Sequence, residues 1–555
     1  MKCIRLSIFE LARILVFIIS IGLFASCGSS RKATNASVTS PNKHLSVNPP
    51  KGSNTLPVIK KGNSYFPISE IDLNQENREF RGVWIATVAN IDWPKSGIDS
   101  WEKQKSDFLA LLDYYQQLNF NAVIVQIRAA GDAFYPSKYA PWSRYLTGQE
   151  GSKPKTLEDP LSWMILQVHQ RGLEFHAWFN PFRATFDLNT SKLSAQHDYF
   201  SHPDWMIQYG PKFYYNPGLP EVRKHLVNII EEVVQNYDID AVHFDDYFYP
   251  YKIEKQVFND DQAYKKYGNN KKLDDWRREN VNLLIQAVHQ KVKSTKPWVQ
   301  FGISPFGVWR NSDRDPNGSN TKGGVTNYDD LYADPITWMK QKWIDYLIPQ
   351  VYWSMDYKLA SHRELVNWWS KNSYDTKIYI GNGPYKIRDN ADLAWNDPRE
   401  ISKQVSFARA TKGIQGNAYF SAQSFYAKNK DVANLLHQEH YQLKVLSPPF
   451  EKPMTSVALK NVQVELTLNE NSVQIFFPYA VDPMYRFALI YAGNDLGQIA
   501  SKRDQVHVQK IFLDERNRNG FILDSKHAGY RYYAVSFIDR FGQETKGKVF
   551  EVNPR

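Results

Sequence analysis

The sequence predicts an α/β protein: a (β/α)8 barrel of the TIM type, followed by a small antiparallel β-sandwich. Two observations carry that prediction. Between Arg81 and about Gln438, eight short apolar runs alternate with amphipathic, helix-like segments. After about Ser447 the helical spacers cease, and short alternating runs follow one another directly. Eight strand–helix units over about 360 residues fit a barrel with its extra length in the loops. A doubly wound sheet is the alternative, but no GxGxxG or Walker pattern supports it, and Gly381-Asn382-Gly383 is too short to count.

In chain order, the first element reads as an export signal over residues 1–27. Lys2, Arg5 and Arg13 precede an apolar stretch, Ile14 to Ser26, too short to span a bilayer comfortably. It ends in Phe24-Ala25-Ser26-Cys27, which resembles a bacterial lipobox except that Phe24 stands where Leu is usual. Cleavage there would leave a lipidated Cys27 that anchors the chain in a membrane. An ordinary cleaved signal with a chance cysteine is the alternative. Residues 28–69 are rich in Ser, Asn, Pro, Thr and Lys and read as a disordered tether, with a reach of roughly 35 Å. The barrel domain is expected over residues 70–447 and the sandwich over residues 448–555.

The barrel strands are expected at RGVWIATV from Arg81, NAVIVQIR from Asn121, LEFHAWF from Leu173 and DAVHFDD from Asp240. They continue at VQFGISPF from Val299, DYLIPQVYW from Asp345, TKIYIGNG from Thr376 and IQGNAYFSA from Ile414. Trp101–Leu118, Pro160–Gly172, Pro220–Tyr237 and Trp276–Thr295 have the spacing of helices between them. In the last hundred or so residues, VQVELTL, SVQIFFPY, YRFALIYAG and YRYYAVSFID read as sandwich strands. The closing YRYYAVSFIDRFGQETKG resembles the final strands of a fibronectin type III domain.

Composition narrows the function classes. Of the net charge of +10, residues 1–27 carry +2 and residues 28–69 carry +6, which leaves +2 for all that follows. A nearly neutral body gives no phosphate-neutralising surface, so no nucleic-acid partner is expected. The only cysteines are Cys3 and Cys27, both in the leader, which excludes a disulfide or cysteine-zinc site in the body. Aromatic residues make up 14% of the chain, enough to supply stacking surfaces for sugars as well as core.

Barrel enzymes work at the C-terminal ends of their strands, so the residues that end each run are the candidates. The fourth run ends in His243-Phe244-Asp245-Asp246-Tyr247, with Ala241, His243 and Asp245 sharing one face. A carboxylate there suits a nucleophile or base in sugar chemistry; pairing with an arginine or capping a helix suits it equally. The second run offers Arg128 to clamp an acid, with Asp132 just beyond. The third puts His176, Trp178 and Asn180 on one face, followed by Arg183, which suits a polar pocket with a stacking wall. For His176 alone, a satisfied core histidine is the plainer reading. There is no HExxH or EF-hand loop, and no metal is expected.

The blocks REFRGVWIATVANIDWP, QIRAAGDAFYPSKYAPWSRYLTG, HAWFNPFR, HFDDYFYP, FGISPFGVWRN, YADPITWMKQKWIDYLIPQVYW and IGNGPYKI occur in order from about Glu79 to Gln423. Together they resemble the glycosyl-hydrolase-like family ten of bacterial envelope proteins. The resemblance implies a TIM barrel, glycosidase activity on a polysaccharide, no organic cofactor and, for some members, action on peptidoglycan. It selects Asp245 as nucleophile by analogy with more distant barrel glycosidases. Because no carboxylate ends the fifth run, the acid is expected from Asp132, then Asp246 or Asp356. Arg128, His176, Asn180 and Asn382 would hold hydroxyls or acidic substituents, and Trp178, Tyr247 and Trp353 would stack. His243, Gln350 and Tyr352 complete the expected lining. The expectation is thus a membrane-anchored envelope lipoprotein that hydrolyses a glycan strand, peptidoglycan foremost. The alternatives are a surface glycosidase for an external polysaccharide and a glycan-binding lipoprotein without turnover.

Overall fold

The computed structural model describes residues 63–73, 78–451, 461–469, 472–500 and 508–552. The expected signal sequence, Cys27 and the tether up to residue 62 lie outside them. Strand β1 (Asn63–Ile71) comes first. The barrel begins with β2 (Phe80–Ile85), β3 (Ala122–Arg128) and β4 (Glu174–Phe179). A hairpin of β5 (Met206–Tyr209) and β6 (Lys212–Tyr215) interrupts it, and β7 (Ala241–Phe244), β8 (Gln300–Ile303), β9 (Tyr346–Leu347), β10 (Lys377–Asn382) and β11 (Ile414–Tyr419) follow. The eight barrel strands are parallel and close on themselves through β9–β10 and β11–β2. The chain is therefore a TIM barrel, as expected.

Each barrel strand is followed by a helix: α1 (Trp101–Gln117), α2 (Pro160–Gln170), α3 (Pro220–Asn236), α4 (Leu273–Thr295), α5 (Pro335–Lys340), α6 (His362–Lys371), α7 (Glu400–Ala410) and α8 (Lys430–Glu439). Local chemistry sets several starts. Asp159 accepts from Leu161 N and Ser162 N, with Pro160 in the first turn of α2. Ser361 accepts from Glu364 N, the spacing of a capping box, at the start of α6.

Strand alternation separates two cores. Val83, Val123, Val125, Phe175, Val242, Phe301, Leu347 and Ile380 face the helices. Phe80, Trp84, Ile124, Trp178, Tyr346, Ile348 and Tyr379 fill the barrel itself. Phe80 and Tyr379 stack with ring centroids 4.2 Å apart. Tyr346 crosses the lumen only because residue 302 is glycine: a Cβ there would lie 2.0 Å from the Tyr346 ring.

The antiparallel sandwich comprises β12 (Glu465–Asn469), β13 (Ser472–Phe476), β14 (Tyr485–Gly493), β15 (Gln509–Phe512), β16 (Gly520–Ile522), β17 (Tyr532–Asp539) and β18 (Gly547–Val552), with β1 joining them. Val473 and Ile475 on one side share a core with Ile490, Tyr533, Phe537 and Phe550 on the other. Here the reading of residues 28–69 as tether is corrected. Residues 63–69 belong to β1, which pairs with both β12 and β18 and carries the chain from one sheet to the next. The composition of the preceding forty residues masked a nine-residue strand with a register shift at Pro67.

The sandwich docks on the N-terminal face of the barrel, away from the strand ends that carry chemistry. Buried Arg486 of β14 meets Asp240, just before β7, at 3.0 Å, and donates to Asp238 O at 2.9 Å. Asp240 also accepts from Phe175 N at 2.7 Å, and His169 Nε2 lies 2.9 Å from it. Burial opposes ionisation of Asp240, but Arg486, His169 and the Phe175 amide outweigh it and bring the pKa down to about 2. Arg540 pairs with Asp238 beside it. The stability Asp240 contributes is therefore present above the ordinary carboxylate pKa near 4 and is lost as pH falls toward 2. Arg486→Met leaves Asp240 buried without its arginine counter-charge, with only the His169 and Phe175 hydrogen bonds, and is expected to cost about 3–5 kcal/mol. Urea unfolding at pH 7 checks this, and an unchanged midpoint would show that the pair is not what holds the domains together.

Candidate active site

Strand β7 delivers Asp245 and Asp246 to the mouth of the barrel. The alternation of β4 sets Trp178 and Asn180 beside them, because Trp178 is in register with His243. Trp178 Nε1 and Asn180 Nδ2 both donate to Asp245 Oδ2, each at 3.1 Å. Oδ1 receives only the longer bond from Tyr247 N, at 3.3 Å. One oxygen is thus held by two side chains while the other keeps lone-pair capacity. Both carboxyls are buried, at 4% exposure.

Burial and the neighbouring charge of Asp246 push the Asp245 carboxyl up to about 7, against the opposing pull of Arg183 and the Trp178 hydrogen bond. Asp246 is raised as well, chiefly by burial, although the Tyr251 hydroxyl and Gln350 donate to it. Gln350 is held in turn by a bond to Ser304 O at 2.9 Å. The Arg183 guanidinium sits over the Tyr247 ring at 4.7 Å, and Arg183 N donates to Asn180 Oδ1 at 3.0 Å. Next to Tyr251, Phe306 takes half-buried Trp353 edge-on, and Tyr352 lies against Phe420 and Tyr385. Acids within reach of an aromatic wall form a surface fitted to a sugar ring and its glycosidic oxygen.

Beneath this level runs a chain of hydrogen bonds. Trp84 Nε1 donates to His243 Nε2 at 3.3 Å, so His243 donates from Nδ1 to the Tyr346 hydroxyl, at 3.1 Å. Tyr346 then donates to His176 Nδ1 at 2.8 Å, leaving His176 Nε2 to face Glu174 at 3.1 Å. Ser304 Oγ lies 3.0 Å from His243. Burial and nearby His176 push the His243 pKa well down, so the ring is neutral. His176 and His243 therefore use both ring nitrogens within the lumen, one and two layers below the carboxylates. The plainer reading of His176 describes what the structure contains.

The remaining candidates divide. Arg128 is buried, donates to Asn180 O at 2.8 Å and lies 5.6 Å from the Tyr215 ring centre. Asp132 accepts from Ala130 N at 3.0 Å, within its own loop. It adds to the field at Tyr215 and His197, whereas the field at Asp245 comes from Asp246 and Arg183. Asp356 is exposed and pairs with Arg363 at 3.2 Å. Asn382 requires a correction. It shares parity with Ile378 and Ile380, which face the helices, and it donates to Asn417 Oδ1 at 2.9 Å rather than toward the lumen. Sequence reasoning also missed Tyr251, Ser304 and Trp84, and did not single out Glu150, which burial pushes up to about 7 where it accepts from Ser194 N. Among the described residues, no cluster of three or more His, Cys, Asp or Glu side chains is arranged to hold a metal ion.

A sequence profile described as Glycosyl hydrolase-like 10 matches residues 79–397. The chain is 43% identical over 486 residues to "Glycosyl hydrolase YngK" of Bacillus subtilis (strain 168), covering 85% of this chain and 93% of that one. It is 37% identical over 370 residues to "Glycosyl hydrolase DigH" of Escherichia coli (strain K12), covering 62% and 83%. Among solved structures, the PgaB (BpsB) glycoside hydrolase domain from Bordetella bronchiseptica is similar at 14% identity and a TM-score of 0.45, over 65% of this chain and 98% of that one.

The electrostatics of Asp245 generate a stability test. Its folded pKa, about 7, lies above the ordinary unfolded value near 4, so the folded chain binds a proton that the unfolded chain has released. Stability is consequently lost as pH rises from about 4 to about 7. Asp245→Asn is expected to raise the thermal midpoint by a few degrees at pH 8, with the gain shrinking toward pH 4. A midpoint that is unchanged or lower at pH 8 would mean that Asp245 carries no buried-charge penalty.

Proposed function

This chain belongs to the glycosyl hydrolase-like 10 family, and from that premise we propose that it is an exported glycoside hydrolase acting on a glycan strand, peptidoglycan foremost. The observation that carries the reading is the grip of Trp178 and Asn180 on one oxygen of Asp245, with Asp246 beside it and bonded by the Tyr251 hydroxyl. In this reading Asp245 Oδ1 attacks the anomeric carbon as the glycosidic C–O bond breaks. Burial raises both carboxyls, so the pair retains a proton; in the reacting complex Asp246 holds it and gives it to the leaving oxygen, which leaves Asp245 ionised. Water then cleaves the glycosyl–Asp245 ester, Asp246 takes the water proton, and configuration is retained. Asp246 replaces Asp132 as first choice for the acid, because Asp246 stands beside Asp245 at the mouth and is bonded by Tyr251, whereas Asp132 accepts from Ala130 N within its own loop.

The lipobox-like Phe24-Ala25-Ser26-Cys27 supports attachment to the bacterial envelope through Cys27. The sandwich, which we read as fibronectin type III-like, serves as a docking base for the barrel rather than as a glycan site.

Asp245→Asn is expected to lower reducing-end release from purified sacculi by at least about a thousandfold while the fold persists. Rates near wild type would remove Asp245 from the mechanism. Proton NMR of the first-formed product is expected to show the retained anomer, and an inverted one would exclude the covalent step. Cys27→Ala is expected to shift the protein from the membrane to the soluble fraction. A variant that still sediments with membranes would mean that the lipid is not the anchor.

A further inference from the structure

The β5–β6 hairpin and the segment it pairs with after β4 bring together two cations that the mechanism does not use, Lys212 and Arg183. The hairpin turns at Gly210, whose φ of +58° favours glycine. Its second strand pairs with the segment after β4: Ala184 N and Thr185 N donate to Phe213 O, and Tyr215 N donates to Phe182 O. Arg183 lies opposite Tyr214 in that ribbon, so Arg183, Tyr214 and, two residues on, Lys212 share one face. The other face carries Tyr215, whose hydroxyl donates to Asp198 at 2.7 Å. The face with the cations turns toward the catalytic carboxyls, since Arg183 covers Tyr247 and adds to the field at both Asp245 and Asp246. Tyr209 Oη and Gln256 Oε1 tie the hairpin to the loop after β7, accepting from Ile253 N at 2.7 Å and Gly210 N at 2.9 Å.

Neither cation makes a direct ion pair. Among the described residues, neither Arg183 nor Lys212 has a carboxylate within ion-pair distance, although most buried arginines of this chain do. Arg183 is 6% exposed, its Nε is buried without an acceptor, and its one side-chain bond is a 3.3 Å contact to Ala129 O. Lys212 is half-buried, and burial together with Arg183 pushes its pKa down to about 8. Holding two such groups side by side with no carboxylate in direct contact is costly, and an anion between them would relieve it.

We propose that Arg183 and Lys212 form an anion subsite beside Asp245, and that the glycan this chain takes carries a carboxylate on a sugar next to the bond it cuts. The inference rests on the glycoside hydrolase reading for the word glycan, but the subsite itself does not require turnover. A planar guanidinium and an ammonium on one face suit a carboxylate, one oxygen to each. That carboxylate has two possible sources, an ether-linked acid on an amino sugar or the C6 acid of a uronic sugar.

The test measures binding by the full-length Asp245→Asn protein, so that hydrolysis does not intrude. The probes are a muramyl tetrasaccharide with free carboxylates and an oligo-uronate of equal length, each also in carboxyl-reduced form. One charged probe is expected to bind roughly tenfold to a hundredfold more tightly than its reduced form, which identifies the source. Adding Lys212→Met should bring that ratio close to one, and Lys212→Arg should preserve it. Equal binding of charged and reduced forms, binding of neither probe, or a preference that survives Lys212→Met would overturn the subsite. Reducing-end release by the wild-type chain reads the glycosidase assignment separately. A charge preference without hydrolysis would sink the reaction and leave the subsite standing.

Discussion

Two histidines stand inside this barrel because one hydroxyl, that of Tyr346, accepts from His243 and donates to His176. A buried polar group without a partner costs on the order of 1–3 kcal/mol, so a polar lumen is tolerable only when every member is paired. Much else depends on this contact. It requires the Tyr346 ring to cross the axis, which requires glycine at 302 and a flat surface from Phe80 and Tyr379 to lie against. It also leaves the next layer, one strand repeat higher, to Trp178 and Asn180, whose donors converge on Asp245. The Asp245 carboxyl is thus placed by a stack of neutral hydrogen bonds rather than by ion pairs. Its proton affinity is correspondingly free to rise.

The parts of the site that follow from alternation were legible in the sequence. His176, Trp178 and Asn180 on one strand, and His243 and Asp245 on the next, were separable by parity alone, and the two sets meet as that parity requires. Asn382 failed for the same reason. Asn382 was named with the residues that would hold hydroxyls, but its parity with Ile378 and Ile380 already pointed it toward the helices. Arg183 and Lys212 were not legible as a pair, because 28 residues separate them and only the pairing of a loop with a hairpin brings them to one face. Tyr346 was hidden differently: it is one of 33 tyrosines, and its role depends on a glycine 44 residues earlier.

The fold was more legible than its boundaries. Eight strand-like runs with spacers imply a barrel from periodicity and count, without any knowledge of contacts. The sandwich was located by the loss of helical spacing, but its first strand lies upstream of the barrel, where local composition resembles a linker. A strand contributed from a distance leaves only nine residues of weak pattern. Its partners β12 and β18 follow it by roughly four hundred residues or more in the chain, beyond the range of any periodicity argument.

That displaced strand changes how the molecule would respond to being pulled. The chain enters through β1, between β12 and β18, before it forms any of the barrel. Tension applied ahead of residue 63 therefore falls first on the inter-strand bonds of the sandwich. It reaches the barrel through the short link to β2 and through the contacts on the face opposite the mouth, among them Arg486–Asp240, Arg540–Asp238 and Lys510 Nζ on Gly172 O. The sandwich would act as a strain relief, keeping mechanical load away from the angstrom-scale geometry around Asp245.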